Sequence, residues 1–385
     1  MKKLAIITTH PIQYYAPVFK LLHQRGNISI KVFYTWGETS IHKHDPGFNK
    51  KIEWDVPLLD GYPYEWVKNA SKDPGTHHFN GIINPDLTNQ VKAWQPDAVL
   101  IYGWGFNSHL KAIRYFKNKL PVLFRGDSTL LDEKKGVKTL LRTLFLRWVY
   151  RHIDHAFYVG INSKAYFKKY GLKDDRLSLA PHAIDNDRFA EDKTQEAQLL
   201  RRQLNINDGD VVILFAGKME EKKAPLLLLE AFLSLDKQDA HLLFVGNGPL
   251  EDELKLKSKG NVNVHFIDFQ NQSQMPAVYQ ACDLFCLPSS GPGETWGLAI
   301  NEAMASGKAV LVSDKVGGAI DLIEQGQNGL IFKSPSLTDL IDNLNTLAGK
   351  GKNGLKEMGR HSKKLIEKWS FERQVKVIEA IVNNG

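Results

Sequence analysis

The sequence predicts an α/β protein with two tandem Rossmann-like domains, each containing a doubly wound parallel sheet. Short apolar runs, rich in β-branched and aromatic residues and mostly without alternation, recur along the chain. Such runs are typical of strands that are buried on both faces of a parallel sheet. Helix-like stretches separate many of them, which indicates βα repetition. The length of 385 residues is suited to two domains.

Six apolar runs in each half of the chain are predicted to form the strands. Those of the first half are 4–10, 28–36, 97–104, 121–127, 155–160 and 177–184. Those of the second half are 211–218, 241–248, 262–269, 284–290, 309–314 and 329–335. The polar stretch 190–210 lacks strand signals, and we interpret it as the link between the domains. The predicted domains are therefore 1–189 and 190–369, and we expect ligands in the cleft between their two sheets.

Composition indicates an ordinary globular protein, with 43% apolar and 24% charged residues. The sequence has no apolar run of eighteen residues, so no membrane-spanning helix is expected. We interpret the start, MKKLAIITTH, as a first buried strand and not as a signal peptide. Cys282 and Cys286 lie in a strand-like run and are predicted to be buried free thiols. These features favour a cytoplasmic protein.

The net charge of +7 favours an anionic partner, such as nucleotide phosphates, an anionic membrane surface or nucleic acid. Nucleic acid is not expected, because the sequence has no helix-turn-helix, zinc or aromatic-strand pattern. The basic segment 134–154 suggests a membrane-surface helix. Its apolar residues are not confined to one stripe, which favours a helix partly buried in the first domain. Peripheral contact with the inner face of the membrane remains an alternative.

Residues of the second half that can carry chemistry follow its predicted strands. Glycine-rich or charged stretches come after four of them, and all four would lie at one edge of the sheet. Within GPGETWGLAINEA, helical spacing would separate Glu294 and Glu302 by about 12 Å along the axis. Glycosidase carboxylate pairs are about 5–9.5 Å apart, so an acid/base pair is not predicted. We expect a helix that starts near Gly297, with N–H groups of Trp296 to Leu298 bound to a diphosphate.

These segments resemble a known family. GETWGLAINEA resembles the E-x7-E signature of the retaining glycosyltransferases of family 4, which have the GT-B fold. FAGKMEEKKAP is similar to that family's G-R-L-x-x-x-K-G segment, with Gly217, Lys218 and Lys223 in register. Similar segments follow in family order, and the resemblance covers roughly residues 155–335. The terminal WSFERQVKVIEAIV resembles the family's closing helix, which would return residues 370–385 to the first domain.

The resemblance implies a role for each matching residue. Glu302 would bind the ribose hydroxyls of a nucleotide sugar, and Glu294 would face the hydroxyls of the transferred sugar. Lys218 and Lys223 would hold the diphosphate and stabilise the leaving group. Lysine replaces the family's arginine at position 218 and lacks its bidentate fork. The remaining donor contacts would come from loop positions: Thr295, Trp296, Gly297, Asn247 and Gly248.

In the first domain, five candidates follow strands. His10 and Gln13 replace the Gly-Gly loop that many relatives have, and we expect them to shape the acceptor or sugar site. His109 could polarise a hydroxyl or stack on the donor; the alternative is a surface histidine at a helix start. In the RGDS stretch, Arg125 could meet a phosphate and Asp127 an acceptor hydroxyl, whereas Asp127 could instead cap a helix.

The expected function is a retaining, metal-independent transfer of a sugar from a nucleoside diphosphate donor to an acceptor hydroxyl. The donor is a co-substrate and no cofactor is expected. The DND at 185–187 is interpreted as a structural turn and not as a metal site. The acceptor would be a glycan, a glycolipid or a small molecule, with synthesis of cell-surface polysaccharide or glycolipid as the expected setting. Two alternatives remain: a nucleotide-sugar epimerase of the same fold and a non-catalytic sugar-nucleotide-binding subunit.

Overall fold

The chain forms two compact units, each with its own hydrophobic core. The first comprises Met1–Lys43, Ile52–His182 and Phe371–Gly385, and the second is built mainly from Ala183–Ser370. The residues described by this computed structural model are 1–42, 44–45, 50–51, 54–134, 136–235 and 237–384.

The strands and helices follow in chain order. The strands are β1 (Lys3–Thr8), β2 (Ser29–Tyr34), β3 (His44–Asp45), β4 (Lys50–Lys51), β5 (Tyr64–Trp66), β6 (Ala98–Tyr102), β7 (Val122–Arg125), β8 (His155–Tyr158), β9 (Leu177–Leu179), β10 (Val211–Ala216), β11 (Ala240–Val245), β12 (Val264–Ile267), β13 (Leu284–Leu287), β14 (Ala309–Ser313) and β15 (Gly329–Phe332). The α-helices are α1 (Ala16–Arg25), α2 (Leu87–Ala93), α3 (Asn107–Phe116), α4 (Val137–Tyr150), α5 (Ile161–Lys169), α6 (Asn186–Ala190), α7 (Thr194–Gln203), α8 (Pro225–Leu233), α9 (Glu251–Lys257), α10 (Met275–Ala281), α11 (Leu298–Ala305), α12 (Ala319–Leu322), α13 (Leu337–Ala348), α14 (Gly351–Ile366) and α15 (Phe371–Asn384).

A parallel sheet with the order β5-β2-β1-β6-β7-β8-β9 forms the centre of the first unit. All residues of β6 and β7 are buried, and all except Arg125 are apolar, as expected for strands covered on both faces. The direction of strand order reverses between β1 and β6, the position at which ligands bind in doubly wound sheets.

The C-terminal helix belongs to the first unit. α15 packs on α1, where the Arg25 guanidinium donates two hydrogen bonds of 2.9 Å to the carboxylate of Glu379. α1 begins at Ala16, because Pro17 is favourable in a first helical turn, and it ends at Gly26 in the left-handed region.

The second unit contains a six-stranded sheet with the order β12-β11-β10-β13-β14-β15, parallel throughout. Every residue of β10 and β11 is buried. The order reverses between β10 and β13, so this sheet has its switch point there. The predicted fold class is confirmed for both units, and each of the twelve predicted runs contains a strand.

Two features depart from the sequence analysis. The stretch 190–210, interpreted as a link, contains α7, which packs against α10 of the same unit. Arg201 of α7 is buried and donates hydrogen bonds to the carbonyl groups of Ala281, Asn207 and Asp210. The edge strand β5 was not predicted, because it has three residues and its pattern of exposure leaves no apolar run.

Candidate active site

The loops that leave β10 and β13 meet beside the switch point of the second sheet. Gly217 and Lys218 follow β10 directly, and the segment from Ser289 to Glu294 follows β13. β10 and β13 are hydrogen-bonded neighbours, so their carboxyl ends lie side by side. This edge collects the candidate residues that the sequence placed after separate strands.

Lys223 and Glu294 form an ion pair at this edge. The ammonium group of Lys223 donates to Oε2 of Glu294 over 2.7 Å, and both side chains are largely shielded from solvent. The Ser289 hydroxyl also lies 3.2 Å from Oε2 of Glu294. The loops are joined by their backbones as well, because the Ser290 N–H donates to the Lys222 carbonyl over 2.9 Å. The structure thus brings together a cation and a carboxylate that are 71 positions apart.

Glycine at position 246 allows the loop after β10 to approach β11. Gly246 has a φ of 129°, and a Cβ atom there would lie 2.2 Å from the Gly217 carbonyl oxygen. Two residues after Gly217, the N–H of Met219 donates to the backbone carbonyl of Asn247 over 3.0 Å. The loop that carries Lys218 is therefore supported by the backbone of the neighbouring strand end.

The loop before α11 is fixed by backbone hydrogen bonds to residues 317–318. The Gly317 N–H donates to the carbonyl of Glu294, and the Gly318 N–H donates to that of Trp296, each over 2.9 Å. The Trp296 ring is buried, and its Nε1–H donates to the Asn301 side chain over 2.9 Å. Gly297 precedes α11 with a φ of 89°, so the helix starts where the sequence predicted. Because α11 follows β13, its N-terminus lies at the same sheet edge as Lys223.

Glu302 lies inside α11 and is buried, with 4% of its surface exposed. The hydroxyl of Tyr279, on α10, donates to Oε2 of Glu302 over 2.8 Å. Tyr279 is fully buried, so it fixes this carboxylate from the interior of the unit. Sequence reasoning missed Tyr279, because a tyrosine in an apolar helix gives no signal beyond packing.

The other second-unit candidates differ in exposure. Asn247 is buried. The NH2 group of its side chain donates to the carboxylates of Glu251 and Asp268, and its side-chain oxygen accepts the N–H of Phe269. The residue therefore joins the ends of β11 and β12 through its side chain. The half-buried candidates are Gly217, Lys218, Gly248, Thr295 and Leu298.

A small cavity lies at the switch point of the first sheet. Its volume is about 190 Å³, and it is lined by residues that follow β1, β6 and β7, together with Tyr15 and His182. Nε2 of His182 lies 3.7 Å from Oδ2 of Asp127, and burial lowers the pKa of the imidazole. The Tyr15 ring stacks on that of His182 with 6.4 Å between centroids. Sequence reasoning did not select His182.

Arg125 lines this cavity but is 2% exposed, and its guanidinium is engaged with the chain itself. It donates to the carbonyl groups of Ala180 and Pro181 and to the side chain of Gln374 on α15. The structure therefore supports a role in holding the segment before residue 182, and the predicted phosphate contact is disfavoured by this burial. Asp127 is half-buried, and its side chain is more accessible to solvent than that of His182.

His109 is buried with no exposed surface, contrary to the expectation of a ring that reaches a cleft. Nδ1 lies 3.0 Å from the carbonyl groups of Tyr102 and Gly103, and Nε2 lies 2.9 Å from the Thr35 hydroxyl. Burial lowers the pKa of this imidazole to about 4. The ring joins the ends of β2 and β6, and these contacts support a structural role instead of a catalytic one.

His10 and Gln13 lie on the loop after β1 and are half-buried. The His10 ring packs edge-on against Trp36, with 5.0 Å between centroids, and Nδ1 lies 2.9 Å from the Thr9 hydroxyl. Their contact with an acceptor or sugar stays a prediction.

Asp185 of the DND stretch caps α6, with its carboxylate accepting the N–H of Arg188 over 3.1 Å. In the described part of the chain, ligand atoms of Asp73, His77 and His78 lie within 4.8 Å of one another, a spacing at which side chains can hold a metal ion.

Cys282 and Cys286 are buried free thiols, as predicted, and burial raises the pKa of Cys282 to about 12. Within the described residues, no helix is long and apolar enough to span a bilayer.

Comparison with known proteins relates the second unit to one family. Residues 196–365 match the model of the family described as glycosyl transferases group 1. A D-inositol 3-phosphate glycosyltransferase of Nocardia farcinica is 30% identical over 203 residues, which are 49% of this chain and 43% of the relative. A lipopolysaccharide 1,2-N-acetylglucosaminetransferase of Salmonella typhimurium is 30% identical over 227 residues, 55% of this chain and 58% of the relative. The chain spans about half the length of the curated relatives that it matches.

Solved structures match the whole chain at lower identity. Anabaena HepE, in a complex with UDP and glucose, aligns over 100% of both chains with a TM-score of 0.72 and 18% identity. WaaG, a glycosyltransferase involved in lipopolysaccharide biosynthesis, aligns over 99% of this chain and 100% of its own, with a TM-score of 0.68 and 17% identity. We conclude that the chain has the GT-B fold of glycosyltransferases, and that its residues 196–365 match the group 1 glycosyl transferase family.

Proposed function

We propose that the protein is a retaining glycosyltransferase that moves a sugar from a nucleoside diphosphate donor to an acceptor hydroxyl. The observation that carries this proposal is the Lys223–Glu294 pair at the switch point of the second sheet. A cation for the diphosphate and a carboxylate for sugar hydroxyls are thereby held side by side. The match of residues 196–365 to group 1 glycosyl transferases supports the same assignment.

The donor would bind along the carboxyl edge of the second sheet. The diphosphate would lie at the N-terminus of α11, where backbone N–H groups and the helix dipole favour negative charge. Lys218 and Lys223 would complete this site from the loop after β10. Glu302 would accept hydrogen bonds from the ribose hydroxyls, with its carboxylate positioned by Tyr279. Glu294 would bind hydroxyls of the sugar to be transferred.

Retention would follow if the acceptor attacks the anomeric carbon from the face that the leaving diphosphate occupies. The acceptor oxygen forms the new bond to the anomeric carbon while the bond to the diphosphate breaks, and the departing diphosphate accepts the proton of the acceptor hydroxyl. The protein's contribution is then positioning and stabilisation of charge on the leaving group by Lys218 and Lys223. This chemistry requires no metal ion and no cofactor.

The small cavity of the first unit would hold part of the acceptor. Its volume of about 190 Å³ is below the roughly 300–1,000 Å³ of sites for drug-sized ligands. Aromatic rings of Tyr15, Tyr102 and Phe106 line it together with the Asp127 carboxylate, a combination suited to one sugar ring. We propose that Asp127 accepts a hydrogen bond from an acceptor hydroxyl in this cavity.

The test is release of nucleoside diphosphate from a panel of nucleotide sugars, with water as acceptor and then with added glycans, glycolipids and free sugars. UDP-glucose is included first, because HepE was solved with this donor. We expect one donor to be consumed, and a Lys223→Met variant to release far less diphosphate than the matched Lys222→Met. Retention is read from the anomeric configuration of the product.

The two alternatives give different results in the same assay. A nucleotide-sugar epimerase would form an epimer in donor alone, without release of nucleoside diphosphate. A non-catalytic subunit would bind the donor and leave it intact. Either result would contradict the proposal, as would release that is equal in the Lys223→Met variant.

A further inference from the structure

Helix α4 of the first unit exposes an unusual amount of apolar surface. Five of its large apolar side chains are solvent-exposed: Val137 (76%), Leu140 (61%), Leu141 (62%), Leu144 (57%) and Phe145 (42%). Elsewhere in the described residues, exposed large apolar side chains are scattered singly along the sequence. Single exposures are ordinary, whereas a contiguous patch indicates an interaction site.

The exposed side chains form one stripe along the helix. Successive residues of an α-helix are rotated by about 100°, so the arc from Leu140 through Leu144 and Leu141 to Phe145 covers roughly 140° of the circumference. Leu146, Val149 and Tyr150 are buried and point to the opposite side. The apolar residues of this helix are therefore not confined to one stripe, as the sequence indicated. Leu146, Val149 and Tyr150 are buried in the first unit, and a separate apolar face stays exposed.

Basic side chains flank the stripe on both sides. Lys138 and Arg142 follow it in the direction of Phe145, while Arg147 lies just beyond Leu140, and all three are exposed. The sequence from 134 to 151 contains no acidic residue. An apolar stripe with cations on both sides is the arrangement of helices that lie in the plane of an anionic membrane.

Aromatic rings extend the apolar face. Phe145 lies 5.6 Å from Trp104 and 5.7 Å from Trp148, measured between centroids. The Arg114 guanidinium lies 5.3 Å from the centre of the Trp148 ring. Tryptophan beside arginine is favoured at the depth of lipid headgroups, where an apolar ring and a polar group are both accommodated.

We propose that α4 is a membrane-docking surface that binds an anionic phospholipid bilayer, with Val137, Leu140, Leu141, Leu144 and Phe145 inserted among the acyl chains. The helix lies parallel to the membrane plane, and the flanking basic residues contact the lipid phosphates. A second copy of this chain fits this surface less well, since self-association about a two-fold axis would bring the flanking basic residues of the two copies close to one another. The proposal does not depend on the proposed transferase activity.

The experiment is sedimentation of the full-length chain with two types of vesicle. One contains phosphatidylcholine alone, and the other also contains about 30% phosphatidylglycerol, which supplies the negative surface potential of an anionic membrane. The wild type should bind the anionic vesicles and not the neutral ones. Leu140→Glu/Leu144→Glu should reduce the partition coefficient by at least roughly tenfold. The matched control, Leu256→Glu/Val262→Glu, changes two apolar residues of the second unit that are even more exposed, and it should bind as the wild type does.

A second variant tests the electrostatic part. Lys138→Gln/Arg142→Gln keeps the apolar stripe, so it should weaken binding to anionic vesicles by about tenfold or more. The folding of every variant is checked by its thermal transition temperature, which substitutions at exposed positions should leave unchanged.

Three results would overturn the proposal. The first is wild-type protein that binds neither vesicle type. The second is equal loss in the Leu256→Glu/Val262→Glu control, which would indicate attraction through net charge alone. The third is a concentration-dependent dimer that the α4 substitutions abolish, without vesicle binding, which would make a second copy the occupant.

Discussion

The ammonium group of Lys223 lies 2.7 Å from Oε2 of Glu294 at the switch point of the second sheet. The two residues belong to loops that leave different strands, and their chemistry is complementary to the two parts of a nucleotide sugar. When a diphosphate binds, Lys223 can exchange its carboxylate partner for phosphate oxygens, because both are anionic acceptors. Glu294 would then be available to the sugar hydroxyls.

Substitution of Lys223 by methionine should reduce turnover by about 10²–10³-fold, because a cation that stabilises the leaving group is lost. Release of nucleoside diphosphate under saturating donor is the measurement. The control is Lys222→Met, which removes an exposed lysine of the same turn. Equal activity of the two variants would show that Lys223 does not act on the leaving group.

The Tyr279→Phe substitution should weaken donor binding without slowing the chemical step. The lost hydrogen bond leaves a buried carboxylate less well positioned, which costs about 1–3 kcal/mol. We therefore expect a higher KM for the donor with kcat nearly unchanged, as for loss of uniform binding. A lower kcat at unchanged KM would instead place Glu302 at the reacting atoms.

Gly246→Ala should destabilise the second unit. A Cβ atom at this position would overlap the Gly217 carbonyl oxygen at 2.2 Å, whereas one at Gly260, also at positive φ, would meet nothing within 4 Å. The overlap should cost about 1–3 kcal/mol beyond the Gly260→Ala control. Denaturant unfolding of both variants measures the difference, and equal stability would mean that the loop carrying Lys218 is not held by this contact.

The free energy of unfolding should fall as the pH is lowered, because the buried His109 imidazole resists protonation in the folded state. Burial lowers its pKa to about 4 in the folded state, so the unfolded chain, with a pKa of about 6.5, binds more protons between these values. The contribution is complete above pH 6.5 and is lost as pH falls towards about 4, with a magnitude of about 3 kcal/mol.

The corresponding measurement is the free energy of unfolding of wild type and His109→Gln across this pH range. The variant should show a weaker pH dependence than the wild type does. An unaltered slope in His109→Gln would mean that the ring is accessible to protons in the folded state.

The fold could be predicted because burial on both faces leaves long apolar runs such as those of β10 and β11. It could not be predicted at β5, where an edge strand of three residues leaves no such run. The stretch 190–210 was misinterpreted because its polar surface hides one buried anchor, Arg201, whose partners are carbonyl groups and therefore invisible in sequence.

The site could be predicted where residues follow strands of one sheet, since topology then places Lys223 and Glu294 at the same edge. Prediction was less successful for His109 and Arg125, which also follow strands. Their side chains turn inwards to bond carbonyl groups of the chain, and a charge pattern alone does not show this direction. Tyr279 was missed because its contact with Glu302 can be recognised only in three dimensions.

The central claim is that the second unit binds a nucleoside diphosphate sugar through Glu302. Its most direct test is the thermal transition of wild type and Glu302→Ala across a panel of nucleoside diphosphates and nucleotide sugars. A ligand at about 100 times its Kd should stabilise the wild type by about 2.7 kcal/mol, and the variant by clearly less. If no nucleotide raises the transition of the wild type, or if one raises both proteins equally, the assigned donor site is wrong.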